Sequence, residues 1–87
     1  MNKYSLLPAN FDDYRDFLRF KFEALKKEYK SYSLLYCAQK AKISKSYLQF
    51  LFKKERHIKL DKFPALAKTL KLSDDEEYFT YLSLIHI

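Results

Sequence analysis

The 87-residue chain contains no glycine and no tryptophan, one cysteine and two prolines. An average composition would place about six glycines in this length, so their absence excludes motifs that require backbone without a Cβ. A P-loop, a dinucleotide-binding fingerprint and an Asn-Gly or Asp-Gly hairpin turn cannot be built from these residues. The lone Cys37 excludes an internal disulfide and the disulfide framework of a small secreted domain, so a reducing, cytoplasmic location is expected. No apolar run approaches the ~18 residues of a membrane span, and Tyr4–Leu7 is too short for a signal-peptide core. Catalytic constellations are missing as well. His57 and His86 have no Cys, His or Asp partners at metal-ligand spacing, Cys37 falls on an apolar helix face, and Asp74-Asp75-Glu76-Glu77 are acids of a helix first turn. The expectation is no enzyme, no cofactor and no metal.

What the chain does have is aromatic and basic. Eight Tyr and eight Phe make up 18% of the residues and hydrophobics reach 48%, enough to bury one core in one small domain. The net charge of +6 is unevenly placed. Residues 33–60 hold seven Lys/Arg against one acid, whereas residues 61–87 hold three against five. A basic middle third predicts a polyanionic partner.

Periodicity predicts five helices and no strands, an all-α class. Residues 1–10 lack a pattern and are read as an N-terminal tail. Phe11-Asp12-Asp13-Tyr14 opens a long helix running to about Lys30, with acids where the helix dipole favours them. Tyr14, Phe17, Leu18, Phe22, Leu25 and Tyr29 form its inward stripe and Arg15, Arg19, Glu23 and Lys26 its outer side, with Phe20 off the stripe. Ser33 caps a second helix, Leu34 to Ala41, with Leu34, Cys37, Ala38 and Ala41 inward. Ser44 caps a third, Lys45 to about Phe52, seated by Tyr47, Leu48 and Leu51. Lys53 to Lys59 is a basic connector. Asp61 is a candidate cap for a fourth helix carrying Phe63, Leu66, Ala67 and Leu70, with Pro64 in its first turn. Ser73 and Glu76 make a capping box for a fifth helix through Tyr78, Phe79 and Leu82.

Two short helices joined by about three residues pack at a steep angle only if small side chains make the contact. Ala38 and Ala41 supply them, Ile43 plugs the corner, and Leu48 and Leu51 seat the third helix. Lys45, Ser46, Gln49 and Lys53 are left on its outer face. This pattern, with Ala38 at the small position, Ile43 after the turn, Ser44 as cap and Leu48 and Leu51 as the buried pair, resembles the helix-turn-helix of the phage Cro/CI repressor superfamily. There the second motif helix enters the DNA major groove. Family members usually carry glycine at the turn, where the backbone is left-handed. Here the residue is Lys42, at a cost of roughly 1 kcal/mol, and Lys54 replaces a glycine common in the following loop.

A longer likeness runs from Phe11 to Tyr81, through Tyr14-Arg15-Asp16-Phe17-Leu18, Ser44-Lys45-Ser46-Tyr47-Leu48, Lys54-Glu55-Arg56-His57 and Leu72-Ser73-Asp74-Asp75-Glu76-Glu77-Tyr78-Phe79. It resembles the start of a family of uncharacterised bacterial proteins of about 270 residues, presumed transcriptional regulators with a C-terminal domain of unknown function. Residues 11–81 are accordingly expected to be a DNA-binding domain. The effector response and homodimerisation are expected to lie in sequence beyond the chain. Residues 82–87, Leu-Ser-Leu-Ile-His-Ile, match one reading frame of a transposon-end sequencing adapter and are kept out of functional argument.

On this reading Lys45, Ser46 and Gln49 face base edges: Gln suits adenine, Lys suits guanine and Ser is permissive. Ser44 and the N–H groups of the third helix meet a phosphate. Lys53, Lys54, Arg56 and Lys59 hold flanking phosphates, with Lys40 and Lys42 as further contacts. Two other readings stand beside it. One is a helix-turn-helix scaffold that binds a protein through Phe50 and Phe20, and the other is binding of structured RNA through the same basic surface.

Overall fold

The computed structural model describes residue 11 and residues 13–85, and within them the chain folds as five helices with no strand. Helix α1 spans Tyr14–Glu28, α2 Leu34–Ala41, α3 Lys45–Phe52, α4 Phe63–Thr69 and α5 Asp74–Ile85. The expected tail, residues 1–10, lies outside the described residues, as do Asp12, His86 and Ile87.

Capping accounts for the helix starts. The Asp13 carboxylate accepts from the Arg15 N–H at 2.9 Å, the Ser33 hydroxyl from the Tyr36 N–H at 3.1 Å, and the Ser44 hydroxyl from the Tyr47 N–H at 3.0 Å. Ahead of α5, Ser73 and Glu76 bond reciprocally: the Ser73 N–H donates to Glu76 and the Glu76 N–H to the Ser73 hydroxyl. Helix α4 departs from expectation. Lys62 occupies its cap position without a side-chain bond, and Asp61 is exposed. Pro64 in the first turn removes one of the N–H groups that a cap would have satisfied.

Three helices end alike. Lys42, Lys54 and Lys71 all have left-handed backbone, with φ of 60°, 64° and 59°. Each donates its N–H three residues back, and the next residue donates five back: Ile43 to the Ala38 carbonyl, Glu55 to that of Phe50, and Leu72 to that of Ala67. This is the Schellman closure, which in most proteins uses glycine. With no glycine available, three lysines take the strained position.

Helix α2 packs on α3 and α4, while α1 packs on α3 and α5. Phe17, Leu18, Cys37, Leu48, Leu51, Leu66 and Leu70 fill the centre, all of them fully buried. The expected inward residues of α2, α3 and α4 lie there, with Leu34, Ile43 and Tyr47 half-buried at the edge. Tyr32, Phe52 and Ile58 also join the core; the Phe22 ring packs at a tilt against both Tyr32 and Phe52. Burial pushes the Cys37 thiol up to about 11, so it packs as a neutral, small apolar group.

Two expectations for α1 need correction. The helix stops at Glu28, and Tyr29 is 43% exposed, its ring 5.1 Å from the Lys71 ammonium. Tyr32 fills the inward place instead. Arg15 is not an outer residue: its guanidinium folds onto Asp13 and reaches the Arg56 carbonyl.

Helix α5 is turned relative to its aromatic pattern. Glu76, Thr80 and Leu84 face inward, whereas Tyr78 and Phe79 are exposed. Glu76 reaches Lys21 of α1 at 3.2 Å, a partly buried ion pair on the inward face of the helix. Leu84, within the segment read as adapter, is buried, as an apolar side chain on that helix face would be whatever its origin.

Candidate nucleic-acid interface

Helix α3 owes its position to Leu48, Leu51 and Phe52, which are buried against α1 and α2. Four of its other residues, Lys45, Ser46, Gln49 and Phe50, are exposed, as is Lys53 at its end. The exposed side is a ridge with a concavity on each flank. One concavity, about 320 Å³, is lined by Ser44, Ser46, Tyr47, Phe50, Arg56 and Lys59. The other, about 230 Å³, brings Gln49 and Lys53 together with Phe22, Arg19, Glu23 and Lys26 of α1.

The candidate base-reading residues are therefore divided by the crest, with Ser46 on one flank, Gln49 on the other and Lys45 exposed at the first turn. Ser44, Arg56 and Lys59 share one flank, and Lys53 lies on the opposite one. Lys40 lies over the Tyr36 ring, 5.9 Å from its centroid, and Lys42 is exposed at the left-handed turn. Lys54 is tied to Asp16 of α1 at 3.2 Å, which partly neutralises its charge. Arg19 and Lys26 reach this flank from α1, a helix distant in sequence from Gln49. Nothing local relates them to Gln49. Arg19 has Glu23 at 4.0 Å, a surface pair that holds it only weakly.

The connector after α3 is held in place. The Tyr47 hydroxyl donates to the His57 carbonyl at 3.2 Å and accepts from the Lys59 N–H at 3.0 Å. The Tyr14 hydroxyl accepts from the Ile58 N–H and lies 3.1 Å from His57 Nδ1, and Arg15 donates to the Arg56 carbonyl. The Arg56 guanidinium lies 5.8 Å from the Tyr47 ring centroid. These bonds hold Arg56 and Lys59 on a fixed loop beside the first turn of α3. Tyr47 is a packing residue with its hydroxyl at the rim, as its position on the helix predicts.

Phe50, 41% exposed, shares its concavity with two serines and two cations. Phe20 is also exposed, with the Phe11 ring 5.8 Å away. Among the described residues no group of three His, Cys, Asp or Glu side chains could hold a metal ion, and no helix is long and apolar enough to cross a membrane. No family model, curated protein or solved structure matches the chain.

Proposed function

We propose that the chain is a sequence-specific, double-stranded DNA-binding domain of a cytoplasmic bacterial transcriptional regulator, with α2 and α3 as a helix-turn-helix of the Cro/CI type. One observation carries the reading. Helix α3 presents a ridge of Lys45, Ser46, Gln49 and Phe50 with a basic loop braced beside its first turn, a shape and charge that suit a groove walled by phosphates. The major groove is about 12 Å wide, close to the ~10–12 Å diameter of a helix with its side chains.

In this arrangement Lys45, Ser46 and Gln49 meet base edges, and Phe50 offers an apolar contact to a thymine methyl. Ser44 caps the helix whose free first-turn N–H groups face a phosphate. Arg56 and Lys59 hold the backbone on one flank, and Lys53 with Arg19 and Lys26 holds it on the other. Lys40, Lys42 and Lys54 add charge around the site.

The test is selection of bound sequences from a random duplex pool. The wild-type chain should enrich a short consensus. Gln49→Ala and Lys45→Ala should change that consensus. Arg56→Ala and Lys59→Ala should weaken binding to every sequence alike and reduce the salt slope by about one each. Failure to enrich any sequence, or uniform weakening by all four variants, contradicts the proposal.

A further inference from the structure

Among the described residues, the aromatic side of α5 is left exposed. Tyr78 is 60% exposed, Tyr81 43%, and Leu60 of the preceding connector 55%. Together with Pro64 they line an open groove of about 340 Å³ whose rim carries Asp74 and Glu77. The groove shares no residue with either flank of α3. Neither acid forms an ion pair among the described residues.

We propose that this groove docks a peptide segment of a protein partner, one that inserts an aliphatic side chain between Leu60, Pro64, Tyr78 and Tyr81 and places Lys or Arg beside Asp74 and Glu77. Charge complementarity selects the occupant. In a chain of net charge +6 this groove is acid-rimmed, so it repels the polyanion suited to α3 and attracts a basic segment. Tyrosines give large contact area with little rotamer entropy to lose and keep their hydroxyls in water, which is why they are enriched at protein interfaces. A second copy of the chain fits less well. A two-fold contact sets a concavity against the same concavity and brings both sets of acids together. The inference does not depend on DNA binding.

The experiment is panning of a phage-displayed random peptide library against the immobilised 87-residue chain, followed by affinity measurements on the enriched peptides. The enriched peptides should carry Lys or Arg flanking an aliphatic residue. Their affinity should fall about tenfold for Tyr78→Ala or Tyr81→Ala, as for interface anchors. It should fall by a smaller, salt-dependent factor for Asp74→Asn with Glu77→Gln. These substitutions lie at exposed or rim positions, and circular dichroism checks that each variant remains helical. No enrichment, peptides without basic residues, or affinities indifferent to these substitutions overturn the proposal. Concentration-dependent self-association that Tyr78→Ala abolishes also overturns it, by assigning the groove to a second copy.

Discussion

At the scale of single residues, the absence of glycine moves strain onto lysine. Lys42, Lys54 and Lys71 hold the left-handed backbone that closes three helices. The first two positions were legible as departures from a motif in which glycine is usual. Lys71 was not, because no motif surrounds the end of α4. Its ammonium lies 5.1 Å from the Tyr29 ring centroid, a contact that Gly and Ala both remove, so the difference between those two variants isolates the backbone effect. Lys71→Gly should stabilise the fold by about 0.5 kcal/mol, strain relief outweighing the extra freedom of the unfolded chain. Lys71→Ala, which keeps the Cβ, should give no such gain in thermal unfolding.

Asp13 provides a second residue-level prediction. The hydrogen bond from Arg15 holds its carboxyl below the ordinary value of 3.8, outweighing the opposing effect of partial burial. A carboxyl more acidic in the folded than in the unfolded state stabilises the fold above the unfolded value. That contribution disappears as pH falls through the folded value. Denaturant unfolding across the acid range should show this loss in the wild type and a flatter profile in Asp13→Asn. Asp13→Ala, which removes the cap outright, should cost about 1 kcal/mol at neutral pH.

At the scale of elements, α2 and α3 were legible to the residue because their limits are set locally, by Ser33, Ser44 and the left-handed Lys42. Helix α5 was legible in extent at its start but not in orientation. Tyr78, Phe79, Tyr81 and Leu82 fall within an arc of about 160° at 100° per residue, the side that periodicity favours, yet the helix buries the opposite side, with Glu76, Thr80 and Leu84. On that inward face Glu76 pairs with Lys21, fifty-five residues away in sequence, a contact that no local pattern shows. Glu76→Ala removes half of that pair and one arm of the capping box, and should destabilise the protein by about 3 kcal/mol. The connector beside α3 offers a gentler perturbation. Tyr47→Phe deletes the hydroxyl that bonds His57 and Lys59 while keeping the ring. It should lower stability by about 1 kcal/mol and, on the DNA-binding reading, weaken affinity without altering sequence preference.

At the scale of the molecule, the two signs of charge gather in different places. The basic segment 33–60 surrounds the α3 ridge, and the exposed aromatics of α5 lie beside acids. The overall charge pattern was legible along the chain. The pairing of Arg19 and Lys26 with Gln49 was not, because it arises only when α1 crosses α3. The Cα atoms span 29 × 28 × 20 Å, less than the ~34 Å of one DNA turn, so on the DNA-binding reading one copy has room for one half-site.

The central claim, that α3 and its braced loop form the DNA-binding face, is tested most directly by backbone amide NMR of the chain titrated with a short duplex carrying the selected sequence. Amides of Ser44 to Lys53, together with Arg56 and Lys59, should shift and be followed by Arg19 and Lys26, while those of Tyr78 and Tyr81 stay in place. Shifts centred on α5, or none at all at low salt, would contradict the account.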